Sequence, residues 1–224
     1  MNKRMHAIVK YMEAGRGVID VGTDHGYFPV WMATHGYKGN IIATDINAGP
    51  LQNAMNTAQE AGVLNKIHFC QCDGLDGCKP DSVDTIVIAG MGGELICRIL
   101  DRAEWCMDRR YKLILQPMTK SEVLRYWLVN NEFEICNEDL ICEGGAIYQL
   151  LVARFGGVTR LSDGELFIGK KELCMDLDMY DIQREKIIRR FEAALAGMAK
   201  DRSGGSRAVY GLYREILEQL KGMG

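Results

Sequence analysis

At 224 residues, 47% of them hydrophobic and with a formal net charge of −3, the chain has apolar material for one sizeable domain and a smaller appendage. That composition excludes intrinsic disorder, and the slight acidity excludes a surface that is strongly basic throughout. The first 13 residues carry early positive charge, but Lys10 and Glu13 interrupt their apolar periodicity, so neither a secretory signal nor a membrane span is expected.

The apolar run 18–21 predicts a buried strand that ends at Gly22, and residues 28–35 predict a short helix. A strand, a glycine turn and a helix form the nucleotide-binding corner of a doubly wound sheet. Here Asp20 precedes the turn, and Asp24 stands where a dinucleotide loop has its middle glycine. Two carboxylates facing a diphosphate repel it. S-adenosylmethionine carries an ammonium and a sulfonium and no phosphate, so it gains from the same charges. A tight turn whose exposed Asp24 caps the next helix would account for the loop without any ligand.

Further along, residues 41–45, 67–72, 85–89 and 112–116 read as strands, and 50–61, 93–100 and 121–130 as helices. This repeated alternation predicts an α/β, doubly wound, Rossmann-like sheet with helices on both faces. The apolar stretches 133–142 and 146–155 are separated only by Glu143-Gly144-Gly145. That is too short for a parallel crossover, so an antiparallel hairpin is expected at the sheet edge. Five parallel strands followed by such a hairpin resemble the order of class I methyltransferases.

The eight cysteines fall mostly within these elements and include no Cys-x-x-Cys pair, which predicts reduced thiols in a cytoplasmic protein. Cys70 and Cys72 share one face of a strand, but no histidine or second pair completes a zinc set. No metal is expected.

Beyond Gly156-Gly157 the composition shifts. Residues 178–200 predict a long helix with apolar positions at Tyr180, Ile187, Phe191, Leu195 and Met198. The linker 201–207 leads to a second helix carrying Val209, Tyr213, Ile216 and Leu220. The spacing predicts a C-terminal helical hairpin or short coiled coil over 157–224, separate from a catalytic domain over 1–156. Between Arg184 and Arg214 eight Lys/Arg face three acids, a local excess of five. Arg184, Arg189 and Arg190 make this arm a candidate phosphate-binding face. An ordinary solvated helix, or a surface for a weak homodimer rather than a monomer, fits the same charges.

Ligands of such sheets lie beyond the carboxyl ends of the strands. Asp45, ending the second strand and followed by Ile46, is placed to accept both hydroxyls of an adenosine ribose. Asp73-Gly74, ending the third, offers an acceptor for an adenine amino group and space for its ring. Solvated turns would leave the same residues there. The fourth strand ends in Ala89-Gly90-Met91-Gly92-Gly93, which supplies room and backbone groups but no acid or base. An endocyclic ring nitrogen has an in-plane lone pair and needs no deprotonation before it attacks a methyl group, so such a site has mainly to position it.

Taken together, Asp20-x-Gly22-x-Asp24-His25-x-Tyr27-x-Pro29, the turn 89–93 and Leu115-Gln116-Pro117 resemble the bacterial tRNA adenine-22 N1-methyltransferases over residues 1–156. Lys3-Arg4 ahead of the first helix, Asp73-Gly74-Leu75 and Ile147-Tyr148 extend the likeness. The resemblance implies methyl transfer from S-adenosylmethionine to N1 of an adenine in the D-arm region of tRNA. It implies Tyr27 and Gln116 as the residues that orient the base. Cofactor contacts are implied for Asp20, Gly22, Asp24, His25, Gly26, Asp45, Ile46, Asp73, Gly74, Gly90 and Met91. For tRNA they are implied at Arg4, Gly92 and Pro117, alongside the basic arm. Met118 departs from the pattern, because many family members have Asn there. A cofactor- or RNA-binding module without catalysis, or a small-molecule methyltransferase, also accommodates the sequence.

Overall fold

The computed structural model describes residues 2–78, 81–199 and 207–223. Its centre is one seven-stranded sheet made of β1 (Gly17–Val21), β2 (Asn40–Asp45), β3 (Ile67–Gln71), β4 (Thr85–Gly92), β5 (Lys112–Thr119), β6 (Phe133–Glu143) and β7 (Ala146–Phe155). The strand order is β3-β2-β1-β4-β5-β7-β6. The first five strands are parallel, and β7 pairs antiparallel with both β5 and β6.

Alternation along the strands explains why helices cover both faces. Ile19, Val21, Ile86, Ile88, Leu113 and Leu115 point to one side, where they pack with Ile96 and Leu100 of α4 (Gly93–Arg102) and Leu124 and Leu128 of α5 (Ser121–Asn130). Val18, Val87 and Ile114 point to the other. There they meet Ile8 of α1 (Lys3–Lys10), Phe28 and Met32 of α2 (Tyr27–Thr34) and Ala58 of α3 (Ala48–Glu60). All five residues of β1 are buried, because helices cover both its faces.

The hairpin forms as expected. Gly144 (φ 58°) and Gly145 (φ 80°) make the two-residue turn, with Glu143 opposite Ala146. Positive φ at both turn positions matches the right-handed twist of the flanking strands and favours glycine there.

Two boundaries differ in ways that matter. Lys3 and Arg4 lie inside the first turn of α1 rather than ahead of it, because the Asn2 side chain caps the helix by accepting from the Met5 N–H at 2.9 Å. β4 runs on to Gly92, past a register shift at Gly90.

The C-terminal part contains α6 (Asp163–Ile168), which the sequence did not suggest, then α7 (Leu177–Met198) and α8 (Arg207–Gly222). A capping box between Ser162 and Glu165 starts α6. Tyr180, Ile187, Ile188 and Phe191 of α7 pack with Ile216, Leu217 and Leu220 of α8 and with Leu140 of β6. The helical hairpin is thus rooted on the sheet edge. Val209, expected at the seam, is 43% exposed. Lys200, Arg202, the linker 201–206 and the Arg207 side chain lie outside the described residues.

Arg125 of α5 lies fully buried between the sheet edge and α6. Its Nε donates to Glu138 Oε2 at 3.1 Å, its Nη2 also meets that oxygen, and its Nη1 donates to the Leu166 carbonyl at 2.9 Å. Removing one member of a buried ion pair strands the other charge, at a cost of about 3–5 kcal/mol. Urea unfolding should therefore find Arg125→Met destabilised by about that amount, and Arg125→Met/Glu138→Leu less destabilised than the single variant.

Candidate active site

Strand order reverses between β1 and β4, since the chain first builds outward through β2 and β3 and then returns to the other side of β1. A crevice opens at such a switch point, beyond the carboxyl ends of the strands. Two adjoining cavities occupy it, of about 270 and 390 Å³, and both are lined by Gly22, Ala89 and Gly90. A larger recess of about 550 Å³ lies beside Trp31 and Tyr37 at the far end of α2. It meets no strand carboxyl end.

The glycine loop is fastened to the neighbouring strand, because the N–H groups of Gly22 and Thr23 both donate to the Thr44 carbonyl, at 2.8 and 2.9 Å. Gly22 (φ 71°), Asp24 (φ 50°) and Gly26 (φ 69°) are left-handed. Asp tolerates that conformation better than most residues. Asp24 does not cap α2: Gly26 holds the N-cap position, with no side-chain hydrogen bond.

The two loop carboxylates have different surroundings. The Asp24 side chain is 66% exposed at the rim, with an oxygen 3.7 Å from His25 Nε2. Asp20 is buried in the floor, where it accepts from the Thr23 hydroxyl at 2.7 Å. Burial pushes the Asp20 carboxyl up to about 6; the Thr23 hydrogen bond opposes this and the Asp45 charge adds to it. The buried negative charge thus belongs to Asp20, whereas the loop argument from sequence rested most heavily on Asp24.

The smaller cavity also holds Tyr27 and Gln116. Tyr27 is 57% exposed and stacks on His25, with ring centroids 5.4 Å apart. Gln116 is buried in β5, its amide donating to the Pro117 carbonyl at 3.0 Å. Pro117 itself is buried and Gly92 caps α4, so of the residues expected to meet tRNA here Arg4 alone projects into the cavity lining.

Sequence reasoning missed that α1 forms a wall of this cavity, through Asn2, Met5 and Ile8 as well as Arg4. The Asn2 cap was the available signal. Arg4 Nε donates to Glu143 Oε2 at 2.7 Å, the Lys3 N–H donates to Glu143 Oε1 at 2.7 Å, and the Arg4 guanidinium lies 4.6 Å from the Tyr148 ring centroid. Arg4 Nη1 is also 3.4 Å from Met118 Sδ. The helix is thereby tied to the β6–β7 hairpin.

The second cavity collects Asp45, Ile46, Asp73, Gly74 and Met91. Asp45 Oδ1 accepts from the Asn47 N–H at 2.9 Å and Oδ2 from the Asp24 N–H at 3.4 Å. Each oxygen keeps a lone pair for a further donor. Arg102 engages Asp73 at 2.9 Å and holds its carboxyl below the usual range. Gly74 (φ 65°) passes close to Ile99, where an added Cβ would lie 2.9 Å from that side chain.

In the arm, Arg189 and Arg190 are exposed. Arg184 is not a free phosphate contact: its guanidinium lies 3.5 Å from Asp181 and donates to the Leu220 carbonyl at 3.2 Å, joining α7 to α8.

The family model described as "Methyltransferase domain" matches residues 1–151. The tRNA (adenine(22)-N(1))-methyltransferase of Bacillus subtilis (strain 168) is 32% identical over 164 residues, which span 73% of this chain and 69% of that protein. Among solved structures, B. subtilis TrmK, the M1A22 tRNA methyltransferase, superposes with a TM-score of 0.87 at 25% identity, covering 100% of this chain and 98% of its own. The candidate tRNA (m1A22) methyltransferase Sp1610 of Streptococcus pneumoniae, solved with S-adenosyl-L-methionine, gives 0.82 at 28% identity, covering 100% and 99%.

The raised Asp20 value has a definite sign. The fold holds this proton more tightly than the unfolded chain, whose ordinary value is 3.8, so the contribution to stability is complete below that pH and lost as pH rises through about 6. Without cofactor, Asp20→Asn should be more stable than the parent at pH 7.5 by about 1–3 kcal/mol, with the difference vanishing near pH 4. Urea unfolding at the two pH values checks this.

Proposed function

The chain belongs to the tRNA (adenine(22)-N(1))-methyltransferase family, and on that premise we propose that it methylates N1 of adenine 22 in the D-arm region of tRNA, using S-adenosylmethionine. The observation that carries the choice of cofactor is Asp20, a buried carboxylate at the strand end beside Asp45 whose hydrogen-bond donor is a hydroxyl rather than a cation. Such a floor repels a diphosphate and fits an ammonium group. The acceptor is supported by the relatives' substrate.

When bound, the cofactor supplies an electrophilic methyl group, which the in-plane lone pair of N1 attacks without prior deprotonation. The chain's own residues bind and orient. Asp20 would hold the ammonium, and Asp45 would accept hydrogen bonds from the ribose hydroxyls. Gly22, Gly74 and Gly90 would let backbone run close to the ligand, with Ile46 and Met91 as apolar walls and Asp73 at the adenine end. Gly26, expected among them, lines neither cavity and instead lets α2 approach Ala54 of α3, where an added Cβ would lie 2.8 Å from the Ala54 side chain. Asp24 and His25 close the rim. Tyr27 offers an aromatic face to the adenine turned out of its stack, an extrusion costing a few kcal/mol. Gln116 and Arg4 orient it from the floor and the α1 wall. Residues 1–156 carry this chemistry, and the arm 157–224 meets tRNA phosphates through Arg189 and Arg190. A tRNA substrate supports a cytoplasmic location for the reaction.

Unmodified tRNA transcripts incubated with radiolabelled S-adenosylmethionine should take label on N1 of adenine 22, and a transcript with guanine at that position should take none. Label on an exocyclic nitrogen would contradict the assignment. Tyr27→Ala should lower kcat/KM by about fivefold to 150-fold, corresponding to the ~1–3 kcal/mol of one aromatic–base stack.

Arg189→Ala/Arg190→Ala should weaken tRNA binding and reduce the slope of log affinity against log salt by about 0.7–0.9 per lost phosphate contact, leaving cofactor affinity unchanged. An unaltered slope in a filter-binding salt titration would remove the arm from the interface.

A further inference from the structure

One cluster lies outside the methyl-transfer chemistry. Cys70 and Cys72 project from the same side at the end of β3, as alternation requires. The following turn, with Gly74 (φ 65°) and Gly77 (φ 77°) both left-handed, returns the chain so that Cys78 reaches them. The three sulfur atoms lie within 4.8 Å of one another, and Cys72 Sγ is 3.7 Å from Cys78 Sγ. Two thiolates on a tetrahedral zinc ion, each with a bond of about 2.3 Å, stand about 3.8 Å apart. The sequence expectation of no metal considered the Cys70 and Cys72 pair alone. The third sulfur comes from the turn.

We propose that Cys70, Cys72 and Cys78 form a binding site for one thiophilic metal ion, of which Zn²⁺ is the representative, that ties the end of β3 to the turn carrying Asp73 and Gly74. All three residues are half-buried, which leaves the ion a path in and a fourth position for water. Among the described residues no fourth His, Cys, Asp or Glu joins the group. Burial, reinforced by the neighbouring thiols, pushes Cys72 up to about 12, and burial also raises Cys78. Cys72 and Cys78 are therefore neutral thiols in the metal-free cluster. Binding is an exchange in which each S–H bond of the cluster gives way to a metal–sulfur bond and its proton enters solution, with no change in oxidation state. This site stands independently of the methyl-transfer reading.

The test uses reduced, chelator-treated full-length protein titrated with Zn²⁺, and with Cd²⁺ as a spectroscopic probe. One ion should bind per chain, with thiolate-to-cadmium charge-transfer absorbance. At least two protons should be released, measured by calorimetry in buffers of different ionisation enthalpy. Zn²⁺ should also raise the thermal midpoint, because it binds the folded chain preferentially. Cys78→Ser and Cys70→Ser should each weaken binding at least tenfold while unfolding like the parent in the absence of metal, and Cys136→Ser, outside the cluster, should bind as the parent does. The proposal is overturned by an absence of saturable binding, by affinity unchanged in both cluster variants, or by release of no more than one proton. Peroxide converting Cys72 and Cys78 to a disulfide in a chain that takes up no metal would overturn it in favour of a redox pair.

Discussion

The structure depends on a reversal of direction at β1. A parallel sheet needs crossovers that return each strand to the same end, and right-handed connections place successive helices on one face until the chain changes sides. Here that change falls between β1 and β4, so the loops leaving these two strands diverge and no helix fills the space between them. Glycines at 22 and 90 keep the resulting crevice open, while Asp20 is held inside it by the burial of the strand that carries it. A carboxylate there is costly for a folded core to contain, and the proposed cationic ligand would offset that cost.

Most of this frame could be read from the chain. Alternating β and α patterns gave the five parallel strands, and Gly144-Gly145 gave the hairpin, because periodicity and turn chemistry are local properties. The acids at the strand ends were legible for the same reason. The contrast between Asp20 and Asp24 was not, since both sit in one glycine loop, and only tertiary burial separates a floor residue from a rim residue. Arg184 shows the same limit. In sequence it is one more basic residue in a basic stretch, yet the approach of α8 turns it into a fastening between two helices. The short helix α6 carried a capping box, Ser162 with Glu165, but too few apolar positions to announce itself. The three cysteines were each visible; what brought the third to the other two was a pair of left-handed glycines, whose effect on chain direction spacing alone does not reveal.

The division of labour between the two walls of the crevice follows from connectivity. One side is assembled from β1, β2, β3 and the loops that follow them, all within the first half of the chain. The opposite wall has a different origin: α1 from one end of this domain meets the β6–β7 hairpin from the other, through Glu143, Tyr148 and the Arg4 side chain.

Those contacts join residues 139 and 140 positions apart, and they constrain the order of assembly. Closing so long a segment is entropically costly until the intervening sheet already holds the ends near one another. During synthesis from the N-terminus, α1 emerges first but gains its anchor only after the hairpin has followed. The α1 wall is accordingly completed last, and a chain interrupted before Glu143 possesses the side of the crevice built on β1, β2 and β3 without the wall that faces it.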